Sequence, residues 1–528
     1  MKICKILISI LVLSSFLRIS NLAFAQSSTY LPEDMGFELD WTFTETPPKR
    51  PQPKILNPEN YEVKWKIDNP LMFGLVQDAT GILYTSDSKN VVRAVFPNGK
   101  EKWNIHLDMG IKNSVIYLVV GQDGTIYAHS SDHYTENGLS SIYALTPEGK
   151  VKWKLQSSDI YSDFDSQFAG DARGNLIYFS NEGLVSRNSN GDVNWVNKSI
   201  TSSKPNDISH TSHSVSIYLD SHSNIYVDSA FGEVISIDST GIERWRTKPL
   251  PFVTKHLGFH PYFSDQGLLY ILIENGLHAL NGQNGSIVDL SKNIDLMDVK
   301  SAGVPFDGEG GYYFINWEGF RKITSSGAKI WEYKLRDSEK NGLGFFREPV
   351  TDKAGNVYFS TDAGNIIALN SSGEEIFVFL RNGFWSKITN VLIGANGNIY
   401  STNHDIGLVS FGKKQIQVYK DNISLPVTSD PINVEGTVLV PFRSLFESFG
   451  LKVEWDQISK TVTGSKEGLT IQLIIGEMTA YVNGQPQKLD VAPLINDDST
   501  YVPLRFIGES IGKKVSWNGE NSSINIDQ

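Results

Sequence analysis

The sequence predicts a mainly β chain: an eight-bladed β-propeller, with seven blades as the alternative, followed by a small α+β domain. Three observations carry this. Tyr84, Tyr127, Tyr178, Tyr226, Tyr270, Tyr313, Tyr358 and Tyr400 recur at separations of 42 to 51 residues, the period of a four-stranded propeller blade. A second series, Trp103, Trp153, Trp195, Trp245 and Trp331, keeps the same beat, with Val288 and Phe377 in its place in two further units. From about Gln415 the repeat stops and a different motif occurs twice.

The chain has 528 residues. Residues 1–25 read as a signal peptide. Lys2 and Lys5 form the positive start, residues 6–13 the apolar run, and Ala23-Phe24-Ala25 a small-x-small cleavage signal. Ser14, Ser15, Arg18, Ser20 and Asn21 interrupt the run before it reaches the roughly 20 residues of a membrane span. The single cysteine, Cys4, lies in this segment, so the mature chain has no disulfide, thiolate nucleophile or cysteine metal ligand. Loss of Lys2, Lys5 and Arg18 takes the net charge from −12 to −15. An acidic surface repels phosphate backbones, so nucleic acid is not an expected partner. No later run is long and apolar enough to cross a bilayer.

Residues 26–60 are expected to be a linker, with 46–54 extended by Pro47, Pro48, Pro51 and Pro53. The propeller is assigned to 61–414. One unit runs Asp123-Gly124-Thr125-Ile126-Tyr127, then Ser141-Ile142-Tyr143-Ala144-Leu145, then Gly149-Lys150-Val151-Lys152-Trp153. Apolar-polar alternation fits strands with one buried face, and the Asp-Gly, Asn-Gly and Ser-Gly steps fit tight hairpins. The last unit, at Tyr400, ends at Phe411 without a Trp strand. An unmatched Trp strand, Tyr61-Glu62-Val63-Lys64-Trp65-Lys66-Ile67, stands at the other end. The first strand is therefore expected to complete the last blade and remove an open sheet edge.

These repeats resemble the PQQ-like propeller family in their Gly-x-apolar-Tyr, apolar-x-Ala-Leu and Gly-x-x-x-Trp elements. The resemblance covers about 350 residues. That pattern is shared by quinone-dependent alcohol dehydrogenases, outer-membrane assembly propellers and exported proteins without enzyme activity, so it implies a fold rather than a function.

In residues 416–528, Val440-Pro441-Phe442-Arg443…Glu447…Gly450…Trp455 is repeated 62 residues later as Val502-Pro503-Leu504-Arg505…Glu509…Gly512…Trp517. Each Pro is placed to open a helix and each Gly to close it. Phe442, Leu445, Phe446 and Phe449 give the first helix one buried face. Arg443/Glu447 and Arg505/Glu509 read as structural pairs. This region resembles the copper amine oxidase N-terminal domain family, a stalk-like module, which implies an antiparallel sheet wrapped around helix. Residues 416–528 contain no His or Cys, which excludes imidazole or thiolate ligation of copper there.

The resemblance to quinone enzymes implies a vicinal disulfide, a stacked Trp and a carboxylate-held Ca²⁺. The mature chain cannot make the first. Asp78, Asp123, Asp171, Asp220, Asp265, Asp307 and Asp352 recur at one blade position, which points to a turn role rather than a single metal site. His129/His133 and His256/His260 are four apart, and His210 and His213 flank a Ser/Thr-rich loop. All read as polar loop histidines rather than zinc ligands. No nucleophile elbow, Walker loop or dinucleotide fingerprint is present. No catalytic, cofactor or metal residue is assigned. Paired carboxylates for glycoside cleavage leave no sequence spacing to find.

Aromatics outside the repeat, Trp317, Phe345-Phe346 and Phe384-Trp385, stand where loops carry binding residues. Trp317, Phe384 and Trp385 are the candidate partner-binding residues. The expectation is an exported, non-enzymatic binding or scaffold protein, secreted or cell-wall associated, with an exported protein or a cell-wall polysaccharide as partner. The alternative is a propeller enzyme, polysaccharide-active or quinone-dependent.

Overall fold

In the computed structural model the described residues are 54–56, 61–69, 72–109, 116–130, 140–160, 168–200, 217–220, 222–228, 232–250, 262–263, 267–273, 276–289, 311–315, 319–324, 328–336, 349–352, 354–361, 365–380, 390–394, 396–403, 407–425, 427, 429–496, 499–519 and 521–527. The chain forms two compact units, one made chiefly of residues 119–332 and the other of 41–108 and 333–528. Both are built mainly of strands arranged as propeller-type sheets.

The first unit holds a series of up-and-down sheets. In order, their strands are Ile116–Val120, Ile126–Ser130, Ser140–Leu145 and Val151–Ser157; then Ala169–Gly170, Leu176–Ser180, Gly183–Arg187 and Val193–Asn197; then Ile217–Leu219, Ile225–Asp228, Val234–Ile237 and Glu243–Arg246; then Tyr262–Phe263, Leu268–Ile273, Gly276–Asn281 and Ile287–Asp289; and lastly Gly311–Ile315, Gly319–Thr324 and Lys329–Lys334. In the best-formed of them the two middle strands are buried on both faces and the fourth strand alternates toward solvent. The motif explains this. The Ile-Tyr and Ile-Tyr-Ala-Leu segments are apolar throughout, whereas Val151-Lys152-Trp153-Lys154 alternates.

The second unit repeats this with Met72–Gln77, Leu83–Asp87, Val91–Val95 and Glu101–His106. The sheet of Asn390–Ile393, Ile399–Asn403 and Gly407–Lys413 takes Tyr61–Ile67 as its outer strand, with Tyr61 opposite Lys413 and Trp65 opposite Ser410. The strand missing at one end of the repeat is thus supplied from the other. The sheet of Val350–Thr351, Val357–Ser360, Ile366–Leu369 and Glu375–Leu380 has a fifth strand, Lys54–Leu56, from the segment read as linker.

The Trp series has a defined mechanical place. Trp65, Trp103, Trp153, Trp195 and Trp245 each stand opposite a small residue: Ser410, Ala94, Ala144, Ser186 and Ser236. A register shift immediately before each of them bends the outer strand. Phe377 repeats this opposite Ala368. The bent strand then lays its ring on the next sheet. The Nε1 of Trp65, Trp153, Trp195 and Trp245 donates to the carbonyl of Pro97, Ser189, Ser239 and Gly282 at 2.9, 3.1, 3.2 and 3.0 Å. Beneath the rings lie Gly99, Gly191, Gly241 and Gly285, with φ of 88°, 95°, 88° and 69°. A Cβ at Gly241 would fall 2.5 Å from the Trp195 ring, and one at Gly99 2.6 Å from Trp65. Glycine is required there twice over, by the left-handed turn and by the ring above it.

The tyrosine series holds with one correction. Tyr84, Tyr127, Tyr226, Tyr313, Tyr358 and Tyr400 are buried. Rings of Tyr84, Tyr127, Tyr226 and Tyr313 lie 5.8 to 6.0 Å from the Trp of their own sheet. Tyr178 is out of step. It is Ile177 that stands opposite Ser186, and Tyr178 pairs with Val185 on the other face. The apolar partner of Trp195 is accordingly Ile177.

Residues 416–528 form three sheets and two short helices around one core. The two copies of the motif meet at their proline strands. Leu439 lies opposite Pro503, Val440 opposite Val502, and Pro441 opposite Tyr501, a pseudo-twofold centred on the two valines. Helix α1 (Phe442–Ser448) buries Phe442, Leu445 and Phe446; α2 (Leu504–Ser510) buries Leu504, Ile507 and Gly508. Each Pro sits one residue before the helix, as N-cap, rather than at its first position. Each Gly closes it. Gly450 and Leu451 donate to the Glu447 and Phe446 carbonyls, and Gly512 and Lys513 to those of Glu509 and Gly508, both with the glycine at positive φ. The expectation of a purely antiparallel arrangement fails at one place: Gln417–Lys420 runs parallel to Ser523–Asp527. Both segments flank the duplicated pair, so first and last strands of the domain lie side by side.

Polar contacts tie this domain to the adjoining sheets of its unit. Lys64, with its side chain fully buried, pairs with Glu62 at 2.6 Å and donates to the Gln415 carbonyl at 3.0 Å. Asn398 donates to Gln417 Oε1 at 3.2 Å, and Asn98 to Asn422 Oδ1 at 2.9 Å.

Two substitutions check this account. Trp195→Ala removes a ring and a hydrogen bond and is expected to destabilise the fold by about 3–5 kcal/mol. Gly241→Ala, which adds one methyl under the same ring at positive φ, is expected to cost about 1–3 kcal/mol. Denaturant midpoints measure both. A Gly241→Ala protein as stable as the parent would refute the ring-on-glycine contact.

Candidate binding surface

The connections between strands divide into two kinds, on opposite edges of each sheet. First-to-second and third-to-fourth connections are tight turns. Asp78 N–H donates to the Ile82 carbonyl at 3.0 Å and Gly81 N–H to the Asp78 carbonyl at 3.0 Å. The same pair of bonds recurs from Phe96 to Lys100, Asp171 to Asn175, Asn188 to Asp192, Asp238 to Ile242, Asp352 to Asn356 and Asn370 to Glu374. Second-to-third connections and those between sheets leave from the other edge, because an antiparallel four-stranded sheet starts and ends on one side. These vary in length: the second and third strands are joined by residues 181–182 in one sheet and by 131–139 in another.

The recurring aspartates serve the tight turns. Asp78 Oδ1 accepts from the N–H of Thr80 and Ile82 at 2.9 and 3.0 Å, and Oδ2 accepts from the Tyr84 hydroxyl at 2.8 Å. Asp220 and Asp352 do the same, with Tyr226 and Tyr358 hydroxyls at 3.0 Å and the amides of Asn224 and Asn356 at 2.8 Å. Asp171 holds the N–H and side-chain amide of Asn175, both at 2.7 Å. The turn role expected for these residues is what the structure shows. Asp123 departs from the series: Gly121 occupies the first turn position, and Asp123 caps Thr125 two residues later. Asp265 and Asp307 lie outside the described residues. With both oxygens of Asp78, Asp171, Asp220 and Asp352 engaged, none presents a free face to a cation.

On the other edge of the Met72–His106 sheet, Asp87 is equally committed. It accepts from the N–H of Lys89 and Val91, from Asn69 at 3.0 Å and from Arg93 at 3.0 Å. His129 is buried in the strand Ile126–Ser130 with its ring 3.9 Å from Phe168. It is a core residue, not a loop residue. His133, His210, His213, His256 and His260 lie outside the described residues. Among the described residues no three His, Cys, Asp or Glu side chains are grouped to hold a metal, and no helix is long and apolar enough to cross a membrane.

Trp317, Phe384 and Trp385, and with them Phe345 and Phe346, also lie outside the described residues. The strands on either side give their connectivity. Trp317 joins the strands Gly311–Ile315 and Gly319–Thr324. Phe345-Phe346 precedes Val350–Thr351, and Phe384-Trp385 follows Glu375–Leu380. Tyr313 marks Gly311–Ile315 as the second strand of its unit, as Tyr84 and Tyr127 mark theirs, so Trp317 falls between second and third strands and the other aromatics fall between sheets. Sequence reading missed the exposed apolar residues at the start of the outer strands. Val151, Val193 and Ile330 are 46, 47 and 49 % exposed, and Ile242, one residue ahead of its strand, is 65 % exposed. Their signal was the apolar residue between turn glycine and Trp. In the C-terminal domain Ile458 and Trp517 are also exposed.

Residues 419–526 match the family model described as Copper amine oxidase N-terminal domain. Solved structures similar to the chain include "The crystal structure of BamB from Moraxella catarrhalis", 16% identical over 67% of this chain and 98% of that one, with a TM-score of 0.46. They also include the C-terminal WD40 domain of Sif2, 12% identical over 67% and 98%, TM-score 0.48. A third is the computationally designed Ika8 protein, 10% identical over 65% and 96%, TM-score 0.47. The chain is a mainly β propeller protein with an additional C-terminal domain.

The tyrosines make the turn edge pH-sensitive at the alkaline end. Burial, and after it the Asp220 carboxylate, pushes the Tyr226 phenol up to about 12. Burial likewise raises Tyr127, Tyr358 and Tyr400. An unfolded tyrosine ionises near pH 10. Above that the unfolded chain sheds protons the folded chain keeps, so stability present below about pH 10 is expected to fall as pH rises toward 12. Tyrosinate absorbance followed together with circular dichroism tests this. These phenols should ionise only as the sheets unfold, and complete ionisation near pH 10 with the fold intact would contradict the burial described.

Proposed function

We propose that this chain is an exported, non-enzymatic binding or scaffold protein. Its propeller, built from PQQ-like repeats, presents one set of sheet edges to a protein or cell-wall polysaccharide. The observation that carries the reading is the asymmetry of the sheets. One edge is made of short turns whose polar groups are consumed by the fold. The other carries connections free to vary in length and sequence, where binding residues accumulate on a fixed scaffold. The saturated aspartates add to this, since they leave the recurring carboxylates of the described sheets without a free face for chemistry. Removal of residues 1–25 and release, or retention at the wall through the C-terminal domain, complete the proposal.

The test uses the chain secreted by its host, with the mature N-terminus read by mass spectrometry and expected at Gln26. Binding to purified cell-wall polysaccharide and to exported proteins is compared for the parent, Trp317→Ala and Phe384→Ala/Trp385→Ala. A loss of about tenfold or more in affinity, about 1.4 kcal/mol, with an unchanged melting temperature supports the reading. Release of reducing sugar or oxidation of an alcohol by the parent would overturn it in favour of an enzyme.

A further inference from the structure

The outer strands of the sheets are managed in two ways. Most carry charge or polar side chains along their length: Glu101-Lys102-Trp103-Asn104-Ile105-His106, Val151-Lys152-Trp153-Lys154, Glu243-Arg244-Trp245-Arg246, Lys329-Ile330-Trp331-Glu332. Such residues keep an open edge from pairing with another chain. Glu375–Leu380 differs. After Glu375 it runs Ile376-Phe377-Val378-Phe379-Leu380 with no polar residue. The single charge, at Glu375, is occupied by Arg336 and by the Tyr333 hydroxyl. Among the described residues this is the outer strand with the least protection, and it is the one that another segment covers. Lys54–Leu56 pairs antiparallel with it, Lys54 opposite Leu380, Ile55 opposite Phe379 and Leu56 opposite Val378.

The cover is short by construction. Pro53 precedes it and Pro58 follows two residues after it. A proline has no N–H to give a ladder, so the pairing cannot lengthen in either direction without a gap. It meets only three of the six residues of the acceptor strand. The Glu375–Leu380 edge therefore combines a strongly apolar template with a weakly held occupant.

We propose that this edge is a strand-acceptor site, filled within one chain by Lys54–Leu56 and open to the same segment of a second copy. The occupant follows from the pairing itself: every copy carries one donor whose register and flanking prolines already fit, and one acceptor. Reciprocal exchange satisfies both edges and closes as a twofold dimer, leaving no edge to propagate. The inference is independent of the ligand proposed above.

The experiment uses the full chain and its Ile55→Pro/Leu56→Pro variant. Two adjacent prolines remove at least one N–H from whichever side faces the acceptor. Light scattering coupled to size exclusion is run over a range of concentrations, before and after refolding at high concentration. The parent is expected to show a dimer that grows with concentration, and the variant to form no such exchanged dimer. Hydrogen exchange should be at least tenfold faster in the variant at those amides of residues 378–380 that face Lys54–Leu56, and unchanged at those that face Ile366–Leu369. A synthetic peptide of residues 50–60 should bind the variant saturably and restore that protection, while the same peptide with both prolines should not. A parent that stays monomeric throughout, a dimer undiminished in the variant, or a folded variant that ignores the parent peptide would each overturn the proposal.

Discussion

The indoles of Trp65, Trp153, Trp195 and Trp245, each resting on a turn glycine of the next sheet, make the contact on which those sheets depend. It joins features that look separate in sequence. The glycine is needed for a positive φ and for the absence of a Cβ. The small Ala or Ser opposite the Trp leaves room for the ring to lean. The register shift before the Trp gives the outer strand its bend. The turn carbonyl that receives the indole N–H is fixed because the turn is already closed by its own backbone bonds. A change at any one of these would leave the others without their purpose, so the repeat behaves as a unit of contact between sheets, not only as a unit of chain.

The second constraint is polar and lies one layer deeper. A tyrosine buried in the middle of a sheet has an hydroxyl that must find a partner. In the Asp220 and Asp352 turns that partner is the same carboxylate that closes the turn. One aspartate therefore satisfies two backbone N–H groups, a side-chain amide and a phenol. This links the geometry of the turn edge to the packing of the core strand behind it. Where the aspartate is displaced, as at Asp123, the Tyr127 hydroxyl is satisfied instead by the Gly174 carbonyl of the next sheet. The need is constant and the donor-acceptor solution is not.

These two constraints explain what could be read from the residues and what could not. The Trp beat, the strand Tyr61–Ile67 completing the last sheet, the duplicated proline-helix-glycine motif and the aspartate turns follow from spacing and residue type, because each is a local rule repeated many times. Tyr178 misled because a one-residue difference in the turn-to-strand spacing transfers the core role to Ile177. Both residues are apolar enough to fit either face, and period alone does not register the slip. The His129 spacing suggests a loop residue because nothing in its neighbours announces Phe168, which is the residue before Ala169–Gly170. The parallel pair of Gln417–Lys420 with Ser523–Asp527 and the pairing of Lys54–Leu56 with Glu375–Leu380 are long-range contacts. A three-residue strand between prolines reads as linker until its acceptor is known. Trp317, Phe384 and Trp385 are aromatics that the repeat does not explain; they lie outside the described residues, and only their places between strands follow from the chain.

The division of labour between the two sheet edges has a consequence for how such a chain can change. At the Asp78, Asp171, Asp220 and Asp352 turns the carboxylate oxygens already hold the turn, so a substitution of the aspartate lowers fold stability. The opposite connections do not share one turn, although Asp87 caps 88–90 in the same manner. Loop-closure entropy grows only slowly with length, which is why segments as different as 181–182 and 131–139 can join second to third strands. The C-terminal domain extends the argument. Its contacts with the adjoining sheets include hydrogen bonds from Lys64, Asn98 and Asn398 to carbonyl and amide partners. Polar fastening of this kind fixes register without requiring either side to expose a greasy surface when made. The added domain keeps a core of its own around Leu445, Phe446, Val462, Ile471, Leu504 and Ile507.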